Sequence, residues 1–154
     1  MNSALQSDQA AADFQRLLDI EAIRNLKAKG VRLVDAKEWD AWSDEVLSED
    51  YVLHSDGGPV EGRGKVVASV SRSLAEAVTV HRIHAPEIEI TGPDAAKAMW
   101  PMDDYVTGNF NGRSLVIRGH GYYDEEYVRT ATGWRIKSCK LVRQRVDTAV
   151  GAPD

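Results

Sequence analysis

The second half of the chain restricts the fold most, because it reads as consecutive long strands joined by short turns. Residues 95–107 alternate most clearly: Ala96, Ala98, Trp100, Met102 and Val106 share one face. Strands over 115–128 and 134–146 follow, separated by a polar loop at 108–112 and a turn at Thr132-Gly133. A strand over 79–91, with Pro86 in its middle, precedes them across the turn Gly92-Pro93-Asp94. Such a ladder has one apolar face that needs a cover.

The first half supplies that cover. Phe14, Leu17, Leu18, Ile23 and Leu26 recur at three- and four-residue intervals and predict an amphipathic helix from Asp13 onward, through Val31 and Val34. Gly30 interrupts the pattern, at a cost of about 1 kcal/mol relative to alanine. A short second helix carries Trp39, Trp42 and Val46. Residues 50–54 read as a strand that Asp56-Gly57-Gly58-Pro59 turns back onto 60–62. A third helix over about 64–77 carries Val66, Val67, Val70 and Leu74. Helices first and antiparallel strands afterwards argue an α+β fold. The expected form is a curved antiparallel sheet wrapped around N-terminal helices, a cone with an open mouth. One domain over 13–147 is expected, between a frayed segment at 1–12 and a flexible tail at 148–154.

Several function classes fall away. The formal net charge is −5 and no basic face is visible, which argues against nucleic acid. No apolar run approaches the roughly 20 residues needed to span a bilayer. The start lacks the basic and apolar regions of a signal peptide. The single cysteine, Cys139, excludes an internal disulfide and a cysteine pair for zinc, and suits a reducing cytoplasm. There is no glycine-rich phosphate loop, no Ser–His–Asp motif and no HExxH motif.

Polar residues in apolar phase are the informative ones. Asp104 keeps step with Trp100, Met102 and Val106, so it is either buried with a partner or exposed where the alternation ends. Asp35 follows the first helix, near the negative end of its dipole, which disfavours its anion and can poise a functional acid or hold a cationic partner. Asp35-Ala36-Lys37-Glu38 also fits a capping box for the second helix. His81 and His84 lie three apart on a strand and point to opposite faces, which argues against a shared metal. Strict alternation places His84, rather than His81, in phase with Ile88 and Ile90, although Pro86 can shift that phase. Arg143 lies beside Leu141 and Val142; turned inward it needs a carboxylate or an anionic substrate group. Gly119 and Gly121 share the face of Leu115 and Ile117, and missing side chains there leave room for a ligand or a close backbone. Cys139 reads as a small buried hydrophobe, and Trp100 and Trp134 as core aromatics or pocket walls. His54 and His120 read as structural or exposed.

The segments Ile20-Glu21-Ala22-Ile23-Arg24-Asn25-Leu26-Lys27, Val34-Asp35-Ala36-Lys37-Glu38-Trp39-Asp40, Val80-His81-Arg82-Ile83-His84-Ala85-Pro86-Glu87-Ile88 and Gly133-Trp134-Arg135-Ile136, with Leu141-Val142-Arg143, resemble the SnoaL-like group of the NTF2-like superfamily. The likeness covers roughly 13–147. It implies an α+β cone with a deep pocket, assembled as a homodimer or homotrimer. Within the group the chain is most similar to the bile-acid 7α-dehydratases and, more distantly, to the scytalone dehydratases. That resemblance implies a site of Asp35, His81, Asp104 and Arg143, and selects His81 over His84 as the inward histidine. The chain departs at Gly30, where the bile-acid enzymes carry a functional tyrosine.

The expected chemistry is elimination of water from a hydroxylated, largely apolar cyclic small molecule, a steroid-like or aromatic ketone. His81 acts as base on a proton α to a carbonyl, and Asp35 fixes its tautomer. A neutral Asp104, or the proton returning from His81, assists the leaving hydroxide. Arg143 holds Asp104 or polarises a substrate oxygen. Trp100, Met102, Gly30 and Gly119 are expected to line the substrate's cavity. The scheme needs no metal and no organic cofactor. Isomerisation of a ketosteroid, cyclisation of a polyketide, or ligand binding without turnover would use the same pocket.

Overall fold

The computed structural model of the protein describes residues 2–151. Its elements are α1 (Asn2–Asp35), α2 (Trp39–Val46), β1 (Leu47–Ser55), β2 (Gly58–Glu61), α3 (Arg63–Leu74), β3 (Val78–Ile83), β4 (Glu87–Gly92), β5 (Ala95–Phe110), β6 (Arg113–Thr130) and β7 (Gly133–Val150). The strands form one curved, unclosed sheet in the order β2-β1-β7-β6-β5-β3, with β4 continuing beyond β3 along β5. Among the described residues only β1 and β7 run parallel; the remaining pairs are antiparallel. No helix among the described residues is long and apolar enough to cross a membrane.

The covering face of α1 is narrower than its periodicity predicts. Ile23, Leu26 and Leu33 are buried against the sheet with Trp42 and Val46 of α2 and Val66 of α3. Phe14, Leu17 and Leu18 stay exposed, because the helix packs on the rest of the chain only from Asp19 onward. The helix nevertheless begins at Asn2, inside the segment read as frayed, and β7 continues past Thr148 to Val150. Gly30 does not break α1. It lets Val46 of α2 approach closely, since a Cβ there would lie 3.1 Å from the Val46 Cγ1.

Two other sequence expectations are corrected. The polar loop over 108–112 is mostly strand, and Asn111 and Gly112 alone make the turn. Both have positive φ, 53° and 78°, the backbone that an Asn-Gly hairpin turn requires. The strand over 79–91 is two strands. The chain leaves the ladder at His84, Ala85 and Pro86, then rejoins β5 as β4. A proline cannot donate to a ladder, and the resulting break resets the alternation. Thr79 and His81 therefore face inward before the break, and Ile88 and Ile90 after it.

Candidate active site

Between the helices and the concave face lies a cavity of about 210 Å³. Val31 and Val34 of α1, Val70 and Leu74 of α3, and Leu53 and Leu141 of the sheet make most of it apolar. Gly30 lines it, as expected, and so does His81.

How α1 ends decides where Asp35 points. The Glu38 N–H donates to the Leu33 carbonyl at 2.9 Å and the Lys37 N–H to the Val34 carbonyl at 3.1 Å. Lys37 has φ 61°, so this is a Schellman closure with a lysine in the left-handed position. The capping-box reading fails: Glu38 is the N-cap of α2 and makes no side-chain cap bond. Asp35 instead faces β3. Its Oδ1 accepts from the Thr79 hydroxyl at 2.8 Å and from His81 Nδ1 at 2.6 Å, and its Oδ2 accepts from the His81 backbone N–H at 2.8 Å. Behind them, Lys37 Nζ donates to Thr79 Oγ1 at 2.8 Å. Burial lowers the Lys37 ammonium, and the Asp35 charge partly offsets this. With Nδ1–H committed to a carboxylate, Nε2 is the basic nitrogen, and it has no protein partner among the described residues. The His81 side chain is 12% exposed, so the base is largely screened from bulk water.

A second polar group lies beside the first on the sheet, although Asp35, Asp104 and Arg143 are not themselves part of the cavity wall. His81, Asp104 and Gly119 are register neighbours across β3, β5 and β6, and opposed residues share a face. Asp104 is buried, with its side chain 1% exposed. Both its oxygens accept from Arg143, at 2.9 Å from Nη1 and 2.6 Å from Nη2. A carboxyl gripped in this bidentate fork is a carboxylate with no proton to give. The expectation of a neutral Asp104 as proton donor is therefore dropped. The fork lies over Gly119, where a Cβ would sit 2.7 Å from Arg143 Cζ and collide with both partners. Gly119 thus makes room for an ion pair, and its space is not open to substrate. A β-bulge between His120 and Gly121 shifts Arg143 into place opposite Gly121.

Trp100 and Met102 are also corrected. Both are buried on the inner face of β5, but neither lines the cavity. Trp100 is held in the core by donating from Nε1 to the Tyr127 hydroxyl at 2.9 Å. His84 lies outside, bonded to Asp103 at 2.8 Å. His54 and His120 are exposed. Trp134 is a core aromatic whose Nε1 donates to Asp19 at 3.3 Å.

The sequence reading missed Lys27 and Glu125, which face each other in the cavity wall at 2.6 Å. It also missed Tyr51 and Tyr123 beside them. A signal existed. Glu125 keeps step with Gly119, Gly121 and Tyr127 on β6, and Lys27 stands four residues after Ile23 on the covering face of α1.

The profile of the SnoaL-like domain family matches residues 15–140. The chain belongs to this family. Among solved structures, this SnoaL-like domain is similar to the Kfla4162 protein of Kribbella flavida, with a TM-score of 0.78 at 22% identity over 86% of this chain and 95% of that one. It is similar to a type 2 hexachlorocyclohexane dehydrochlorinase, LinA, with a TM-score of 0.77 at 17% identity over 91% and 95%. A candidate scytalone dehydratase from Novosphingobium aromaticivorans gives 0.75 at 13% identity over 86% and 88%. At such identities the likeness establishes a common fold, the helix-lined cone expected from the sequence, and the reaction must be argued from the site.

Proposed function

We propose that this SnoaL-like domain is a cofactor-independent lyase that eliminates water from a β-hydroxy ketone on a largely apolar cyclic skeleton. The observation that carries this reading is the His81–Asp35 couple at 2.6 Å, with Nε2 left free at an apolar cavity. Nε2 removes the proton α to the carbonyl. Asp35 stabilises the imidazolium that results and keeps the ring oriented. Arg143 spends two N–H groups on Asp104 and keeps others for the oxygen on which enolate charge develops. The β-hydroxyl then leaves with the proton returned by His81, as water, and the base is restored. Two of the similar structures are by name a dehydrochlorinase and a candidate dehydratase, and elimination is common to both names.

The test is His81→Ala on a panel of cyclic β-hydroxy ketones, followed by enone absorbance and product mass. Loss of the base lowers kcat by about 10² to 10⁴. Turnover equal to the unmodified protein removes His81 from the chemistry. A product of unchanged mass points to isomerisation instead.

A further inference from the structure

The lyase scheme uses one end of the cavity and leaves a buried charged pair at the other end unexplained. Lys27 and Glu125 have side chains 5% and 1% exposed. Both oxygens of Glu125 have donors, while Lys27 has N–H groups to spare. Glu125 Oε1 accepts from Lys27 Nζ at 2.6 Å, and Oε2 accepts from the Tyr127 hydroxyl, which itself accepts from Trp100 Nε1 at 2.9 Å. Burial first, and then the Glu125 charge, push the Tyr127 hydroxyl well above its ordinary 10.0, so it remains a donor. Lys27 Nζ sits 3.6 Å from the centroid of the Tyr123 ring. An ammonium has three N–H groups. One goes to Glu125, another side rests on an aromatic face, and Lys27 makes no further hydrogen bond among the described residues. Stability does not account for the pair, because well-packed apolar residues serve as well as a buried ion pair or better.

We infer that Lys27, held by Glu125, is a specificity-determining group that donates a hydrogen bond to an oxygen of the substrate, at the end of its ring system remote from the reacting carbon. Lys27 precedes Asp35 by eight residues on one helix, a rise of about 12 Å. The lysine side chain leans further toward the helix N-terminus. A single six-membered ring does not bridge that span, so the favoured ligand is a fused-ring ketone with a hydroxyl or carbonyl opposite its reacting end. This rests on the cavity holding the substrate as proposed above, but its test needs binding alone.

Binding is measured by calorimetry for matched pairs of fused-ring ketones of two to four rings, with and without a hydroxyl at the far end; a steroid 3-ketone with and without a 17-hydroxyl is the largest pair. A hydrogen bond from a charged donor predicts tighter binding of the hydroxylated member in at least one pair, by about 10- to 100-fold. Lys27→Met/Glu125→Leu, which removes the pair together, should erase that preference while still binding the unhydroxylated member. Lys27→Met/Glu125→Gln is the second variant should the first not fold. No preference in any pair, including no binding at all, overturns the inference. So does a preference that both folded variants retain. If His81→Ala keeps full turnover while the hydroxyl preference persists, the lyase scheme fails and this assignment stands.

Discussion

Gly119→Ala should cost this protein about 2–4 kcal/mol, a large effect for one methyl group on a strand, where alanine otherwise outperforms glycine. The new Cβ would lie 2.7 Å from Arg143 Cζ and collide with both the guanidinium and Asp104 Oδ1. The two partners can yield very differently. Arg143 is 32% exposed at its side chain and can swing toward water, whereas Asp104, at 1%, cannot. The carboxylate is then left buried without its fork. Breaking a buried pair costs about 3–5 kcal/mol, and the arginine's access to solvent takes the figure to the lower part of that range. Relief of glycine's conformational freedom returns about 0.5–1 kcal/mol. For a chain of this length, the net loss lowers Tm by about 5–15 °C. Urea unfolding at neutral pH, monitored by tryptophan fluorescence, gives the free energy, and a thermal scan gives Tm. The same substitution in an Asp104→Ala/Arg143→Ala background should instead stabilise by up to about 1 kcal/mol, because the colliding groups are gone and only the relief of glycine's freedom remains. Equal destabilisation in both backgrounds, or none in either, would refute the claim that Gly119 exists to seat the ion pair.

Three further outcomes follow from the geometry. Asp35→Asn should lower kcat by about 10² to 10⁴ with far-UV circular dichroism unchanged, since an amide can hold His81 in the wrong tautomer while filling the same space. For Asp19, burial works to raise the carboxyl, but bonds from Arg129, Trp134 and Gln15 together hold it below its ordinary 3.8. A carboxyl depressed on folding stabilises the protein above its unfolded value and loses that contribution as pH falls through the folded one. Asp19→Asn should therefore be less stable than the unmodified protein at pH 6, with the gap closing below about pH 4 in urea titrations. Cys139 is buried, and desolvation first, then the Glu125 charge, push its thiol up. It should resist a disulfide reagent such as DTNB at pH 8 until denaturant is added; rapid labelling of native protein would contradict its burial.

Much of the architecture was legible because alternation and helical periodicity are local. Asp104 is the best case. Its phase with Trp100, Met102 and Val106 left it either inside or at an exposed strand end, the family resemblance selected the first, and its buried carboxylate has the partner such a position demands. Pro86 was the point at which a strict period would have selected the wrong histidine, and the break it causes brings His81 to the inner face. Phe14, Leu17 and Leu18 show the opposite limit: they carry a helical period, yet the sheet does not reach them. A period states which residues share a face, and not how far the covering surface extends.

By itself, the amino-acid order determined a helical cover, an antiparallel ladder and, where no break interrupts the alternation, the residues of a strand that share a face. The tertiary structure alone decided which of those residues meet. Asp35 and His81 are 46 positions apart, and Lys27 and Glu125 are 98 apart. The first contact depends on where α1 stops and on the break at Pro86, and the Asp104–Arg143 fork depends on the bulge at Gly121. None of these is periodic. Each is a local departure whose effect on distant side chains is set only when the sheet curves around the helices.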